Sequence, residues 1–160
     1  MSTSYAVFSS LGACAAAAGL EGICAGSEVK SRFAQLRSPA YSAPLWVWYI
    51  IGALYYATFF FILFRILTRD HSSGLTNITL GLVGLMMAAN ALWNYVFFRA
   101  QKLFASVVVT FLAPIMDLAL LVCLMQLDRI AAWALIPYLI YRLYSLWWAY
   151  GLWQLNRDSG

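Results

Sequence analysis

Five apolar runs of roughly 20 residues, about 5–26, 44–67, 75–98, 103–126 and 130–155, occupy most of this 160-residue chain. At 1.5 Å of rise per residue, about 20 helical residues cross a hydrocarbon core about 30 Å thick. Backbone polar groups in lipid must be paired within their own segment or a closed barrel, so each run is expected to be a helix. The composition agrees: 64% of residues are hydrophobic and 10% charged, more apolar side chain than a soluble domain of this length could bury. The expected fold class is therefore all-α, a polytopic bundle of five transmembrane helices in a single domain, 1–160, with the lipid bilayer as its first partner. A cleaved secretory leader is an alternative reading of the first run, which is rich in small residues. The absence of a basic segment ahead of it and the presence of Glu21 weigh against that.

Five crossings place the basic residues in two groups. Arg65, Arg69 and Arg129 fall on one side with the amino terminus. Lys30, Arg32, Arg37, Arg99, Lys102 and Arg157 fall on the other, which is twice as basic and is expected to face the cytoplasm together with the carboxyl terminus. The net charge of +4 is read as topology and attraction to anionic headgroups, with no nucleic-acid partner. The segment 27–43 is the one loop long enough to carry function. Pro39 and Pro44 stiffen it, with Pro44 expected as the first residue of the second helix. The remaining turns are short, which predicts sequential antiparallel packing of the second to fifth helices.

Three aromatic motifs thread these runs. Ser38, Pro39, Tyr41, Pro44 and Trp46 end the loop, with Tyr56 further along; Asn90, Trp93, Phe97 and Phe98 lie in the third run; Pro137, Tyr138, Leu139 and Tyr141 lie in the fifth. In this order and spacing the chain resembles the translocator protein family, also called TspO/MBR or tryptophan-rich sensory proteins. The family's patterns are Lys-Pro-x-Trp-x-Pro-Pro-x-Trp, Asn-x-x-Trp with Phe-Phe, and Pro-Tyr-Leu-x-Trp. The resemblance implies a receptor or carrier with a pocket in the bundle, closed by the first loop, for porphyrins and in some members sterols. A porphyrin is a ligand there, not a cofactor. It also implies a homodimer, in a bacterial cell membrane or the mitochondrial outer membrane. The ligand-contacting residues so implied are Tyr41, Pro44, Trp46, Tyr56, Asn90, Trp93, Phe97, Pro137, Tyr138, Tyr141, Arg142 and Ser145. Trp and Tyr also collect at membrane interfaces, and Trp147, Trp148 and Trp153 are read as such a belt.

The chain departs from the pattern at Tyr41, Ala43, Gly52 and Tyr141. Light-dependent porphyrin breakdown in some bacterial relatives involves Trp at the places of Tyr41 and Tyr141, so an enzyme is the second reading and a small-molecule transporter or channel the third. The sterol-recognition stretch keeps Tyr150 and loses its basic end. No catalytic constellation and no metal-ligand spacing is visible. His71 sits in a polar turn beside Asp70 and Ser72, and Cys14, Cys24 and Cys123 read as free thiols.

Three charges lie within apolar runs: Glu21, Asp117 and Arg142. Each costs roughly 2.5 to 3.5 kcal/mol at bilayer depth even on the lenient insertion scale, and should face the interior or be paired. Asp117 and Arg142 lie about 11 and 13 residues from the turn at 128–129, or roughly 17 and 20 Å in depth, which predicts an interhelical ion pair. Glu21 is expected to snorkel or to pair with Lys30 or Arg32. Small-residue faces, Gly12, Ala16 and Gly19 in the first run and Gly81, Gly84 and Ala88 in the third, are candidate homodimer seams.

Overall fold

The computed structural model describes residues 2–69 and 74–157. It contains six α-helices: α1 Thr3–Ala25, α2 Val29–Gln35, α3 Leu45–Thr68, α4 Gly74–Asn94, α5 Leu103–Leu127 and α6 Arg129–Asn156, with a π-helical turn, Tyr95–Arg99, extending α4. Thus the first loop is not irregular throughout, because its first half forms the two turns of α2. Pro44 is the residue before α3 rather than its first, with extended backbone and its carbonyl accepting from the Val47 amide at 2.9 Å. Ser2 caps α1 by accepting from the Tyr5 amide, and Gly26, at φ 73°, ends it.

By length and composition, α1, α3, α4 with its π turn, and α5 are each able to cross a membrane. The helix α6 has 28 residues and so the length, but Arg142, Pro137 and its many Tyr and Trp lower its hydropathy. The expected set of five crossings is therefore matched for four. Large apolar side chains point outward in numbers that water does not tolerate: Phe8, Leu54, Ile115, Trp133, Ile140 and Leu143 are all more than half exposed. They are solvated by lipid, and this is an integral membrane protein.

The five long helices close into a ring in which α1 packs on α3 and α4, α4 on α5, α5 on α6, and α6 back on α3. The ring departs from the sequential packing expected of short turns, because α1 stands between α3 and α4. The stretch between them, 69–73, is long enough, at about 3.5 Å per residue, to pass a helix roughly 10 Å wide. Two apolar clusters fill the ring. One surrounds Tyr55, Phe59, Met86 and Leu135, and the other Phe97, Phe98, Trp148 and Leu152. Successive residues of an α-helix point about 100° apart, and the wider π turn lets both Phe97 and Phe98 be buried. The small-residue faces on α1 and α4 both point outward, and a Cβ built on Gly12, Gly19, Gly81 or Gly84 meets nothing within 4 Å.

A single residue, Asp128, joins α5 to α6. Its carboxylate accepts from the Ile130 and Ala131 amides at 2.9 and 3.4 Å, from Arg65 Nε at 2.7 Å, and lies 3.1 Å from Arg69 Nε. Burial favours the neutral acid, but the Arg65 hydrogen bonds and the two amides outweigh it and hold the carboxyl below its ordinary range. A depressed folded value means that the charged form stabilises the fold above the ordinary carboxylate pKa of about 3.9, and that this is lost as pH falls further. Asp128→Asn is therefore expected to cost about 1.5–3 kcal/mol at pH 7. In thermal melts in detergent, the gap to the parent should stay constant down to about pH 4.5 and narrow below about pH 4; a gap independent of pH would refute the assignment.

Candidate ligand cavity

The ring encloses a cavity of about 410 Å³, walled by residues of all six helices and of the π turn. That volume lies in the range of small-molecule sites. The α4 wall presents Asn90, Trp93 and Phe97. Trp93 and Phe97 stack at 4.8 Å with planes 9° apart, and Trp93 Nε1 donates to Thr110 Oγ1 at 2.9 Å. A buried indole N–H thus has its partner, and the ring face is left for packing. The α6 wall presents Tyr138, Tyr141, Arg142 and Ser145, with Asp117 from α5 beside them.

Asp117 and Arg142 meet across α5 and α6. Arg142 Nε donates to Oδ2 at 2.7 Å and Nη2 to Oδ1 at 3.4 Å, and Nη2 also donates to the Tyr138 hydroxyl. The carboxylate is 1% exposed and the guanidinium side chain 17%. A second polar station lies on the α1 and α4 side, where Asn90 Nδ2 donates to Glu21 Oε1 at 2.6 Å. Glu21 therefore faces the interior, and the expected pairing with Lys30 or Arg32 does not form. Its helix turns it toward the cavity, where an amide is in reach.

The segment between α2 and α3 is laced along one face of α6. The Arg37 amide donates to Asn156 Oδ1 and Asn156 Nδ2 returns a bond to the Arg37 carbonyl, both at 2.9 Å. Pro39 lies against Gly151, where a Cβ would come within 3.2 Å of it. Trp148 Nε1 donates to Ser42 Oγ at 2.7 Å, and the Ala43 amide donates to the Tyr144 hydroxyl at 2.9 Å. Trp148 is accordingly not a belt residue. It is 2% exposed, lies 4.6 Å from Trp48 and stacks on Phe33. Trp147 stays half exposed, and Trp153 packs against Phe104.

Of the residues singled out from sequence, Asn90, Trp93, Phe97, Asp117, Tyr138, Tyr141, Arg142 and Ser145 share the cavity wall. Tyr41, Pro44, Trp46, Tyr56 and Pro137 stand off it; Tyr41 is 93% exposed at φ 63°, and Trp46 is 63% exposed. Two residues along a helix turn the side chain by about 200°, so with Trp46 outward it is Trp48 that reaches the cavity, its Nε1 donating to the Ala43 carbonyl at 3.0 Å. Trp48, Tyr55, Trp148 and Glu21 are wall residues that motif matching passed over. The signal available was helical phase: Trp48 and Tyr55 lie seven residues, about two turns, apart. His71 lies outside the described residues. Among the described residues, Cys14, Cys24 and Cys123 are free thiols, and no three His, Cys, Asp or Glu side chains group to hold a metal.

A lipid-solvated ring of helices around an aromatic cavity, with a loop fastened over one wall helix, defines a membrane protein of ligand-binding or transport type. A family model for the TspO/MBR family matches residues 10–154, nearly the whole chain, and the protein belongs to that family. Among curated proteins none matches it.

The ion pair makes a measurable prediction. Asp117→Asn leaves a guanidinium in the bundle interior without its counter-charge and is expected to cost about 3–5 kcal/mol. The double replacement Asp117→Leu with Arg142→Leu should recover most of that loss. Both are read from melting temperatures of the ligand-free protein in one detergent, and an Asp117→Asn variant as stable as the parent would remove the pair from the stabilising framework.

Proposed function

We propose that this protein is a receptor or carrier for flat hydrophobic ligands, porphyrins foremost, held in the bundle cavity. The observation that carries this reading is the pairing of wide ring faces, from Trp48, Trp93, Tyr138 and Tyr141, with an arginine on the same wall. A porphyrin needs apolar faces for its macrocycle and a cationic or hydrogen-bonding partner for its propionates. Sterols fit the apolar surface and leave Arg142 unused, which ranks them second. The enzyme reading is weaker, since Tyr41, one of the two positions tied to photochemistry in relatives, stands outside the cavity. A channel would need polar groups along a continuous path, and the charges here form two separate stations, each internally hydrogen-bonded.

In this reading α6 is the fifth crossing, domain and bundle are one, and the end bearing Lys30, Arg32, Arg37, Arg99 and Lys102 faces the cytoplasm with the carboxyl terminus. Titration of the purified protein with protoporphyrin in darkness should give saturable Trp quenching. Trp93→Phe should weaken it several-fold, as loss of part of a stacked face implies. No saturation would exclude a porphyrin site, and new absorbing products confined to illuminated samples would restore the enzyme.

The outward small-residue face of α4 is proposed as the homodimer seam, since helices in lipid associate where backbones approach closely. Gly84→Leu is expected to convert a dimer to a monomer in detergent, measured by light scattering with the detergent contribution subtracted. An unchanged mass would move the seam elsewhere.

A further inference from the structure

The helix α3 carries two adjacent tyrosines, and the aromatic motif draws attention to Tyr56. The cavity wall contains Tyr55 instead. Tyr55 is 6% exposed, with its ring 4.5 Å from Phe59 and 5.5 Å from Tyr138 between centroids. Its hydroxyl is buried, and no donor or acceptor among the described residues reaches it. A hydroxyl removed from water and left without a partner destabilises the fold that holds it, whereas a phenyl ring would fill the same space without that cost. The chain uses phenyl rings freely in the following turn, at Phe59 and Phe60. A phenol at 55 therefore calls for a partner that the protein itself does not supply.

The nearest cationic group is one ring away. The guanidinium carbon of Arg142 lies 5.0 Å from the centre of the Tyr138 ring, which packs directly on Tyr55. Asp117 and the Tyr138 hydroxyl take the N–H groups of Nε and Nη2, and no acceptor among the described residues engages Nη1. Two donors, one neutral and one charged, are thus left uncommitted in the same stretch of wall. Both suit the oxygens of one carboxylate, which accepts charge-assisted hydrogen bonds and offers several lone pairs. Asp117 already balances the arginine, so the added discrimination falls to the Tyr55 hydroxyl.

We propose that the Tyr55 hydroxyl and Arg142 Nη1 form an acid-recognition subsite in the cavity wall, with Tyr55 the residue that selects ligands bearing a free carboxylate over their esters. The inference rests on the porphyrin reading of the cavity and adds to it a donor that no aromatic motif contains. It also assigns different consequences to the two tyrosines. Loss of the Tyr55 hydroxyl alters ligand selection, and loss of the Tyr56 hydroxyl, off the wall, does not.

The test compares the full-length protein with Tyr55→Phe in one detergent and in darkness. Protoporphyrin and its dimethyl ester are each titrated by Trp quenching, and melting temperatures are recorded without ligand. The parent should prefer the free acid. Tyr55→Phe should weaken the acid by about ten-fold and the ester much less, because a hydrogen bond to a charged group is lost in one case only. The ligand-free variant should melt at or above the parent's temperature, since an unpartnered hydroxyl has been removed. An acid-to-ester ratio equal in the two proteins would overturn the subsite and leave the cavity reading standing. A lowered melting temperature with equal losses for both ligands would make Tyr55 structural and overturn it as well. A parent that binds neither ligand would overturn the porphyrin reading itself, and the subsite with it.

Discussion

An arginine held inside a lipid-solvated bundle constrains everything around it. Arg142 cannot be left without a counter-charge, and α6 cannot rotate without carrying it toward lipid, so Asp117 on α5 fixes both the depth and the azimuth of α6. With that face pinned inward, Tyr138, Tyr141 and Ser145 are brought to the cavity as neighbours on the same helical face, at spacings of three and four residues. The Asp128 turn sets the same two helices at one end of the bundle by tying them to α3 through Arg65 and Arg69. Two carboxylates, one in the interior and one at the turn, thus register three of the five helices of the ring.

The helix α6 is the least lipid-like of the long helices because one helix performs three tasks. It binds the first loop through Tyr144, Trp148 and Asn156, walls the cavity through Tyr138 and Tyr141, and buries the arginine. Each task needs a polar atom on an apolar body, which Tyr and Trp provide. Those residues depress its hydropathy, so the feature that separates α6 from the membrane-crossing pattern also marks it as the functional helix. The first loop is consequently an extension of the α6 surface and not a free strap, since its backbone groups at Arg37 and Ala43 are satisfied by that helix.

The elements and the ion pair were legible because they follow from one-dimensional arithmetic. Apolar run length gives the helices within a residue or two, and equal counts from the 128–129 turn give equal depths for Asp117 and Arg142. Neighbour order was not legible, because short turns limit how far a chain can step without saying which helix it steps past, and α1 came to lie between α3 and α4. Motif matching found the α4 and α6 walls but missed the α3 wall. Trp46 and Tyr56 occupy motif positions whose helical phase points away from the cavity, while Trp48 and Tyr55 point in. Trp148 was misread because composition alone cannot separate an interfacial Trp from a buried one; the distinction is its Nε1 bond to Ser42, a contact 106 residues apart in sequence.

The polar groups of the cavity differ in how completely the protein satisfies them, and that difference bears on function. The Glu21–Asn90 station, the Trp93–Thr110 bond and the Asp117–Arg142 pair are closed on themselves and stabilise the empty ring. The hydroxyl of Tyr55 is not closed, although its ring is among the best packed. Stability alone would favour phenylalanine there, and a bundle selected only to fold would carry one. Local departures from polar satisfaction are expected where a site is shaped for something that arrives later. In this bundle the departure falls on the wall of its aromatic cavity, one ring from its only arginine, which is where a ligand acid group would need a donor.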